Sequence, residues 1–189
     1  MSAPLRVVVL VSGRGSNLQA LINARERGEL PVDIVAVGSD RPRCAALERA
    51  AKAGITTIAL NPSDFPDRPT FDHALFTVLS DVHPDLVILA GFMRILDESV
   101  VAGAQWPIIN IHPSLLPKYP GLNTHARALA VGDKEHGASV HVVTPTLDSG
   151  PVIAQARIAV VEGDTPEALA QRLLAREHAL LTAPLRLIG

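Results

Sequence analysis

The sequence predicts an α/β protein: a three-layer sandwich whose central sheet is mostly parallel and ends in an antiparallel C-terminal hairpin. Three observations carry that prediction. Apolar runs of strand length, such as Leu5–Val11, Val32–Gly38 and Asp85–Ala90, are each followed by a helical pattern. Strands separated by helices run parallel, with the helices covering both faces of the sheet. The first run is apolar throughout rather than alternating, as in a strand buried on both faces. The late runs Ala138–Thr144 and Val152–Val160 are joined only by Pro145–Pro151, too short for a crossover helix, so they pair as a hairpin.

In chain order, Leu5–Val11 is the first strand, and Ser12-Gly13-Arg14-Gly15-Ser16-Asn17 turns into a helix marked by Leu18, Leu21 and Ile22. Val32–Gly38 is the second strand. Cys44–Ala53 is helical and stops at Gly54, a suitable residue just past a helix end. Ile55–Leu60 is the third strand, followed by a proline-rich loop from Asn61 to Pro69. Thr70 is read as the cap of a helix through Val82, which Pro84 ends. Asp85–Ala90 is the fourth strand, running into Gly91–Leu96, and Asp97–Gly103 is a short helix. Ile108–His112 is a strand stopped by Pro113. A long loop reaches Asn123, and Thr124 caps a helix to Val131. After the hairpin, Thr165 starts a last helix with Pro166 at its first position, reaching about Leu181.

Composition narrows the function. The 189 residues fit one domain, 1–189, large enough to bury a core without staples. Aromatics are only 3% of the chain, so aliphatic side chains carry that core. A formal net charge of −2 gives no basic footprint for nucleic acid. One cysteine, Cys44, excludes an internal disulfide and fits a reducing compartment. Met1–Arg6 lacks a signal-peptide pattern, and Val7–Val11 is far short of a membrane span. The expectation is a cytoplasmic protein.

The chemistry centres on Asn110 and His112. Two apart on a strand, they point to the same face, at the strand's C-terminal end. That edge of an open α/β sheet is where ligands bind. An amide that can donate beside an imidazole that can change charge suits acid–base work on a carbonyl. Such a histidine calls for a carboxylate, and Asp148, in the turn Asp148-Ser149-Gly150-Pro151, is the best candidate. Turn aspartates also bond their own backbone, and that reading stays open. The Ser12–Asn17 turn is either an anion cradle at a helix N-terminus or only a tight turn. It is neither a dinucleotide fingerprint, since Leu18 stands where the third glycine would fall, nor a Walker loop. His141 lies on a strand and either lines the pocket or, the favoured reading, packs in the core. Glu177 and His178 either face a ligand or lie on a solvated helix face. Ser114 lacks a nucleophile elbow. His125, His136, His141 and His178 show no metal-binding spacing, so neither a metal nor NAD is expected.

The segment Asn110-Ile111-His112-Pro113-Ser114-Leu115-Leu116-Pro117 resembles the signature of the folate-dependent formyltransferase superfamily. Gly15-Ser16-Asn17 and Met93-Arg94-Ile95-Leu96 narrow the resemblance to its phosphoribosylglycinamide formyltransferase (GAR transformylase) family, and the likeness extends over His136–His141 and Leu147–Ile153. The resemblance implies the Rossmann-like formyltransferase fold and the substrates 10-formyltetrahydrofolate and phosphoribosylglycinamide. It implies a catalytic trio of Asn110, His112 and Asp148. Gly15, Ser16 and Asn17 would hold the substrate phosphate, and Glu177 its ribosyl part. Arg68, Met93, Arg94, Ile95, Leu96, Thr144, Pro145, Thr146 and Leu147, together with Asn110 and Asp148, would surround the formyl-folate. Asn123 departs from a histidine often found there, which questions a histidine's part in ordering that loop. No nucleic-acid or membrane partner is expected, and the protein is read as a monomer or weak homodimer. Two alternatives remain: a formyltetrahydrofolate deformylase, and a non-catalytic phosphometabolite-binding module.

Overall fold

The computed structural model describes residues 3–186. Seven strands form one sheet: β1 (Leu5–Val11), β2 (Val32–Ser39), β3 (Thr57–Ala59), β4 (Leu86–Leu89), β5 (Ile108–His112), β6 (Glu135–Val142) and β7 (Val152–Ala159), in the order β3-β2-β1-β4-β5-β6-β7. The first five run parallel, and β6 is antiparallel to both β5 and β7. The described residues form six α-helices: α1 (Ser16–Glu26), α2 (Ala45–Lys52), α3 (Arg68–Ser80), α4 (Glu98–Gly103), α5 (Thr124–Ala130) and α6 (Pro166–Arg186).

Two cores, one on each face of the sheet, make the three layers. The larger joins Val7, Val9, Val11, Ile109 and Ile111 to α1, α2 and α6; the smaller joins Val8, Leu10 and Ile108 to Phe71 and Leu75 of α3 and Val100 of α4. Successive residues of β1 therefore serve opposite cores, which is why its sequence is apolar throughout. Val7 to Val11 are fully buried, each worth about 1.5–3 kcal/mol relative to exposure.

The order places the topological switch between β1 and β4. From β1 the chain moves outward to β2 and β3, then returns to lay β4 on the other side of β1. The crevice beyond the C-terminal ends of such a strand pair is the usual ligand site of an open α/β sheet. Here it opens between the Gly13–Asn17 turn and the Gly91–Leu96 segment, with the end of β5 alongside.

Several local boundaries differ from the sequence reading. Asp67, not Thr70, caps α3: its carboxylate accepts the Thr70 N–H at 2.9 Å, with Pro69 in the first turn. Thr124 does not cap α5. Its hydroxyl donates to the Pro113 carbonyl at 2.6 Å, and Asn123 holds the cap position in the left-handed region at φ 58°, which asparagine tolerates. The proline-rich loop contains a 3₁₀ turn, Pro62–Asp64. α6 continues through Pro184 to Arg186, because Leu180, Leu181 and Leu185 keep its apolar stripe in the core. β6 starts at Glu135 rather than Ala138. Gly137 sits inside it because a Cβ there would overlap the Ala156 carbonyl of β7 and the Leu115 side chain. That glycine marks a close approach of chains, not a break.

Candidate active site

β5 presents Asn110 and His112 on the face opposite Ile109 and Ile111, as the two-residue period requires. Across the antiparallel pairing, Asn110 stands opposite His141 and His112 opposite Ser139. The Asn110 Nδ2 donates to His141 Nε2 at 3.2 Å, and His141 Nδ1 donates to the Val142 carbonyl at 3.0 Å. An amide nitrogen carries two N–H bonds, so Asn110 keeps a second one for another acceptor.

Asp148 lies between the two imidazoles. Its Oδ2 is 3.5 Å from His112 Nδ1, and its Oδ1 is 3.5 Å from His141 Nε2. Oδ2 also accepts the Gly121 N–H at 2.8 Å, and the residue adopts a left-handed φ of 48° in its turn. Burial alone would push this carboxyl up. The flanking His141 ring, the Gly121 N–H and the His112 ring outweigh burial and hold it below the usual carboxylate range. His112 Nε2 donates to the Tyr119 carbonyl at 2.9 Å, so both nitrogens of its ring face acceptors. All three side chains in and beside this cluster, His112, His141 and Asp148, are nearly inaccessible.

The loop entering the site is anchored by polar side chains of the sheet. Ser139 Oγ donates to the Ser114 carbonyl at 2.7 Å and accepts the Leu116 N–H at 3.0 Å. Gln155 donates to the Leu116 carbonyl at 2.8 Å. Beyond Pro117, the Tyr119 hydroxyl donates to Asp133 at 2.6 Å, and Arg127 stacks over the Tyr119 ring.

At the end of β1, Gly15 has φ 75° and caps α1 without a side chain, leaving the first-turn N–H groups without a side-chain acceptor. A Cβ on Gly15 would lie 2.6 Å from that of Ala46. The turn's carbonyls are drawn away from the crevice: that of Gly13 accepts from Ala46 N at 3.1 Å, and that of Arg14 from Arg49 Nε at 2.7 Å. N–H groups at a helix start with carbonyls braced elsewhere suit an anion. Asn17 Nδ2 donates to Glu177 Oε2 at 3.3 Å, while Asn17 Oδ1 is buried without a partner. Burial pushes the Glu177 carboxyl up, and the Asn17 hydrogen bond only partly offsets it. Glu177 is therefore not on a solvated helix face.

Apart from Asn110, the residues expected to surround the folate fall in α3, in the segment after β4 and in the turn after β6. Met93, Ile95 and Leu147 expose large apolar side chains, and the Arg94 guanidinium lies 4.7 Å over the Phe71 ring. Leu96 differs from its neighbours: its side chain is buried in the smaller core, so only its backbone is available to a ligand. Arg68 is half-exposed, 3.9 Å from Asp97. Thr144 Oγ1 donates to the Thr146 carbonyl at 3.2 Å, shaping the Thr144–Asp148 turn that also holds Pro145.

For His141 the sequence favours core packing over a place lining the pocket. It is buried, but it bonds Asn110 and faces Asp148 rather than packing among aliphatics. The signal that finds it is the β5–β6 register, which no local pattern encodes. Among the described residues, no group of three or more His, Cys, Asp or Glu side chains could hold a metal ion. No described helix is long and apolar enough to cross a membrane.

Comparison with known proteins shows the family to which the chain belongs. Residues 5–185 match the family model described as formyl transferase. The chain is 48% identical over 176 residues to the phosphoribosylglycinamide formyltransferase of Escherichia coli, covering 93% of this chain and 83% of that protein. Among solved structures, glycinamide ribonucleotide transformylase 1 from Symbiobacterium toebii superposes with a TM-score of 0.95 at 42% identity, covering 100% of this chain and 89% of that one. The phosphoribosylglycinamide formyltransferase of Coxiella burnetii, in complex with CHES, gives 0.91 at 49% identity over 97% and 86% of the two chains. With residues 5–185 matching the family model and nearly its whole length similar in sequence and in fold to these proteins, the chain belongs to the formyl transferase family.

Proposed function

We propose that the protein transfers the formyl group of 10-formyltetrahydrofolate to the glycinamide amine of 5-phosphoribosylglycinamide, a step of purine biosynthesis. The observation that carries the reading is the Asn110–His112–Asp148 cluster, set at the strand ends beside a glycine turn built for an anion. The substrate phosphate meets the N–H groups of Gly15, Ser16 and Asn17, and its ribosyl part meets Glu177. The flat folate ring lies against Met93, Ile95 and Leu147, with Arg68, Arg94, Leu96 and Thr144–Asp148 around it.

The amine attacks the formyl carbon, and a tetrahedral oxyanion forms without a covalent enzyme intermediate. Fixing both substrates can supply several kcal/mol, since effective molarities reach ~10⁵ M or more. The second N–H of Asn110 and the Nε2–H of His112 donate to the developing oxygen. His112 exchanges the Tyr119 carbonyl for that oxygen, so its Nε2–H keeps an acceptor throughout. Asp148 accepts at Nδ1 and keeps the ring oriented. As the intermediate collapses, the bond from the formyl carbon to the folate nitrogen breaks; His112, or a water it holds, protonates that leaving nitrogen and recovers a proton from the amine that attacked. Membership of the family supports the formyl-folate as cosubstrate. The single cysteine fits a cytoplasmic reading, and the protein is read as a monomer or weak homodimer acting on small molecules.

The test is to mix the purified protein with 10-formyltetrahydrofolate and 5-phosphoribosylglycinamide and follow the folate absorbance. Change only when both are present is the expected result. Change with the folate alone would establish a hydrolase, and no change would establish a binding module.

A further inference from the structure

The segment after β4 has no secondary structure of its own, yet it must keep its shape if folate is to seat on it. Gly91 has φ 78°, and between Gly91 and Asp97 the described chain makes few bonds to itself. Two buried polar side chains hold it from below. Ser12, the last residue before the glycine turn, lies 1% exposed at the head of the switch crevice. Its backbone N–H donates to the Gly91 carbonyl at 3.0 Å, and its Oγ accepts the Met93 N–H at 2.8 Å. The same hydroxyl donates to Asp40 Oδ1 at 2.6 Å, just past the end of β2. At the other end of the segment, fully buried Asp72 of α3 accepts the Asp97 N–H at 2.8 Å. Arg94, Ile95 and Leu96, between these anchors, make no backbone hydrogen bond to another described residue.

From this geometry we infer that Ser12 with Asp40, and Asp72, are positioning residues for the formyl-folate: they fix the two ends of Met93–Asp97 so that the intervening backbone groups stay open to the ligand. The inference rests on the proposed folate-dependent transfer and deepens it. A carboxylate acting on a hydroxyl orients the proton toward itself and turns an oxygen lone pair toward the Met93 amide, so Asp40 sets the direction of the bond that Ser12 makes. Ser12 also begins the turn that faces the phosphate, so one residue spans both substrate walls. Its side chain serves only the folate wall, which separates the two effects experimentally.

Because removing the hydroxyl would strand the buried Asp40 carboxylate, Ser12→Ala is made in an Asp40→Asn background. Asp40→Asn alone, Asp40→Ala and Asp72→Ala complete the set. Asparagine keeps an acceptor oxygen for Ser12, so Asp40→Asn should behave within about twofold of the parent, whereas Ser12→Ala/Asp40→Asn and Asp40→Ala should each raise KM for formyl-folate about tenfold. Asp72→Ala should do the same. KM for phosphoribosylglycinamide should stay within about twofold in every variant. Thermal denaturation run alongside identifies variants that fail to fold, and Asp40→Asn against Asp40→Ala then decides alone. An unchanged folate KM in the folded variants, or equal rises in both KM values, overturns the inference. A parent protein that transfers no formyl group overturns the functional reading instead, so the two failures are distinguishable.

Discussion

Acidification should weaken the junction between α5 and β6 through a single buried histidine pair. His136 Nε2 and His125 Nδ1 are 3.0 Å apart, rings edge to face at 4.9 Å, under the loop that enters the active site. Burial pushes His136 down and the neighbouring His125 pushes it further; the Pro113 carbonyl and Asp133 pull the other way and lose, leaving it at about 4 against 6.5. His125 is lowered as well, again first by burial. The folded protein thus binds this proton less readily than the unfolded chain. Stability is complete above about pH 6.5 and is lost as pH falls toward 4. A group at about 4 that titrates at 6.5 when unfolded is worth about 3 kcal/mol in full, of which about 2 kcal/mol has gone by about pH 5. In a chain of this size that lowers Tm by roughly 4–8 °C. The assay is thermal denaturation between about pH 7.5 and pH 5 for the parent and for His136→Gln, which cannot take up the proton. His178, which burial also lowers, contributes equally to both and cancels. The parent should lose the extra stability and the variant should not. Parallel curves for the two proteins would refute the reasoning.

Three further outcomes follow from the same geometry. Gly15→Ala forces a Cβ into a left-handed backbone and against Ala46, so it should cost about 1–2 kcal/mol in denaturant melts and raise KM for the phosphorylated substrate while kcat persists. Asp148→Asn keeps an acceptor for Gly121 but removes the charge between two imidazoles; steady-state kinetics should show kcat down about 10–100-fold, and an unaltered kcat would remove it from the trio. Asp67→Ala deletes the α3 cap and should cost about 1 kcal/mol by urea denaturation, with activity at low denaturant retained.

The parallel sheet was legible because β1, β2, β4 and β5 carry their pattern locally, in apolar β-branched runs bounded by glycine or proline. The shared facing of Asn110 and His112 was legible for the same reason, since a strand's two-residue period is a property of the strand alone. Asp148 could be named only as a candidate, because what brings it within 3.5 Å of His112 is the return of the chain after β6. For His141 the sequence weighed the wrong alternative more heavily, since its meaning depends on which β5 residue it pairs with, and register lies outside the local sequence. Ser12, Asp40 and Asp72 carried no signal: a serine before a glycine turn and an aspartate inside a helix are common, and only the path of Gly91–Asp97 gives them work. Thr70 was chosen over Asp67 because the proline-rich stretch read as loop, although Asp followed two residues later by Pro69 is itself a helix-start pattern.

The claim beneath the account is that Asn110 and His112 act on one oxygen. A double-mutant cycle on kcat, at saturating concentrations of both substrates, tests it with Asn110→Ala, His112→Ala and the pair. Each single change should cost about 10²–10³-fold, and the double variant should fall well short of the product of the two losses. Strictly multiplicative losses, or near-normal turnover in Asn110→Ala, would contradict it.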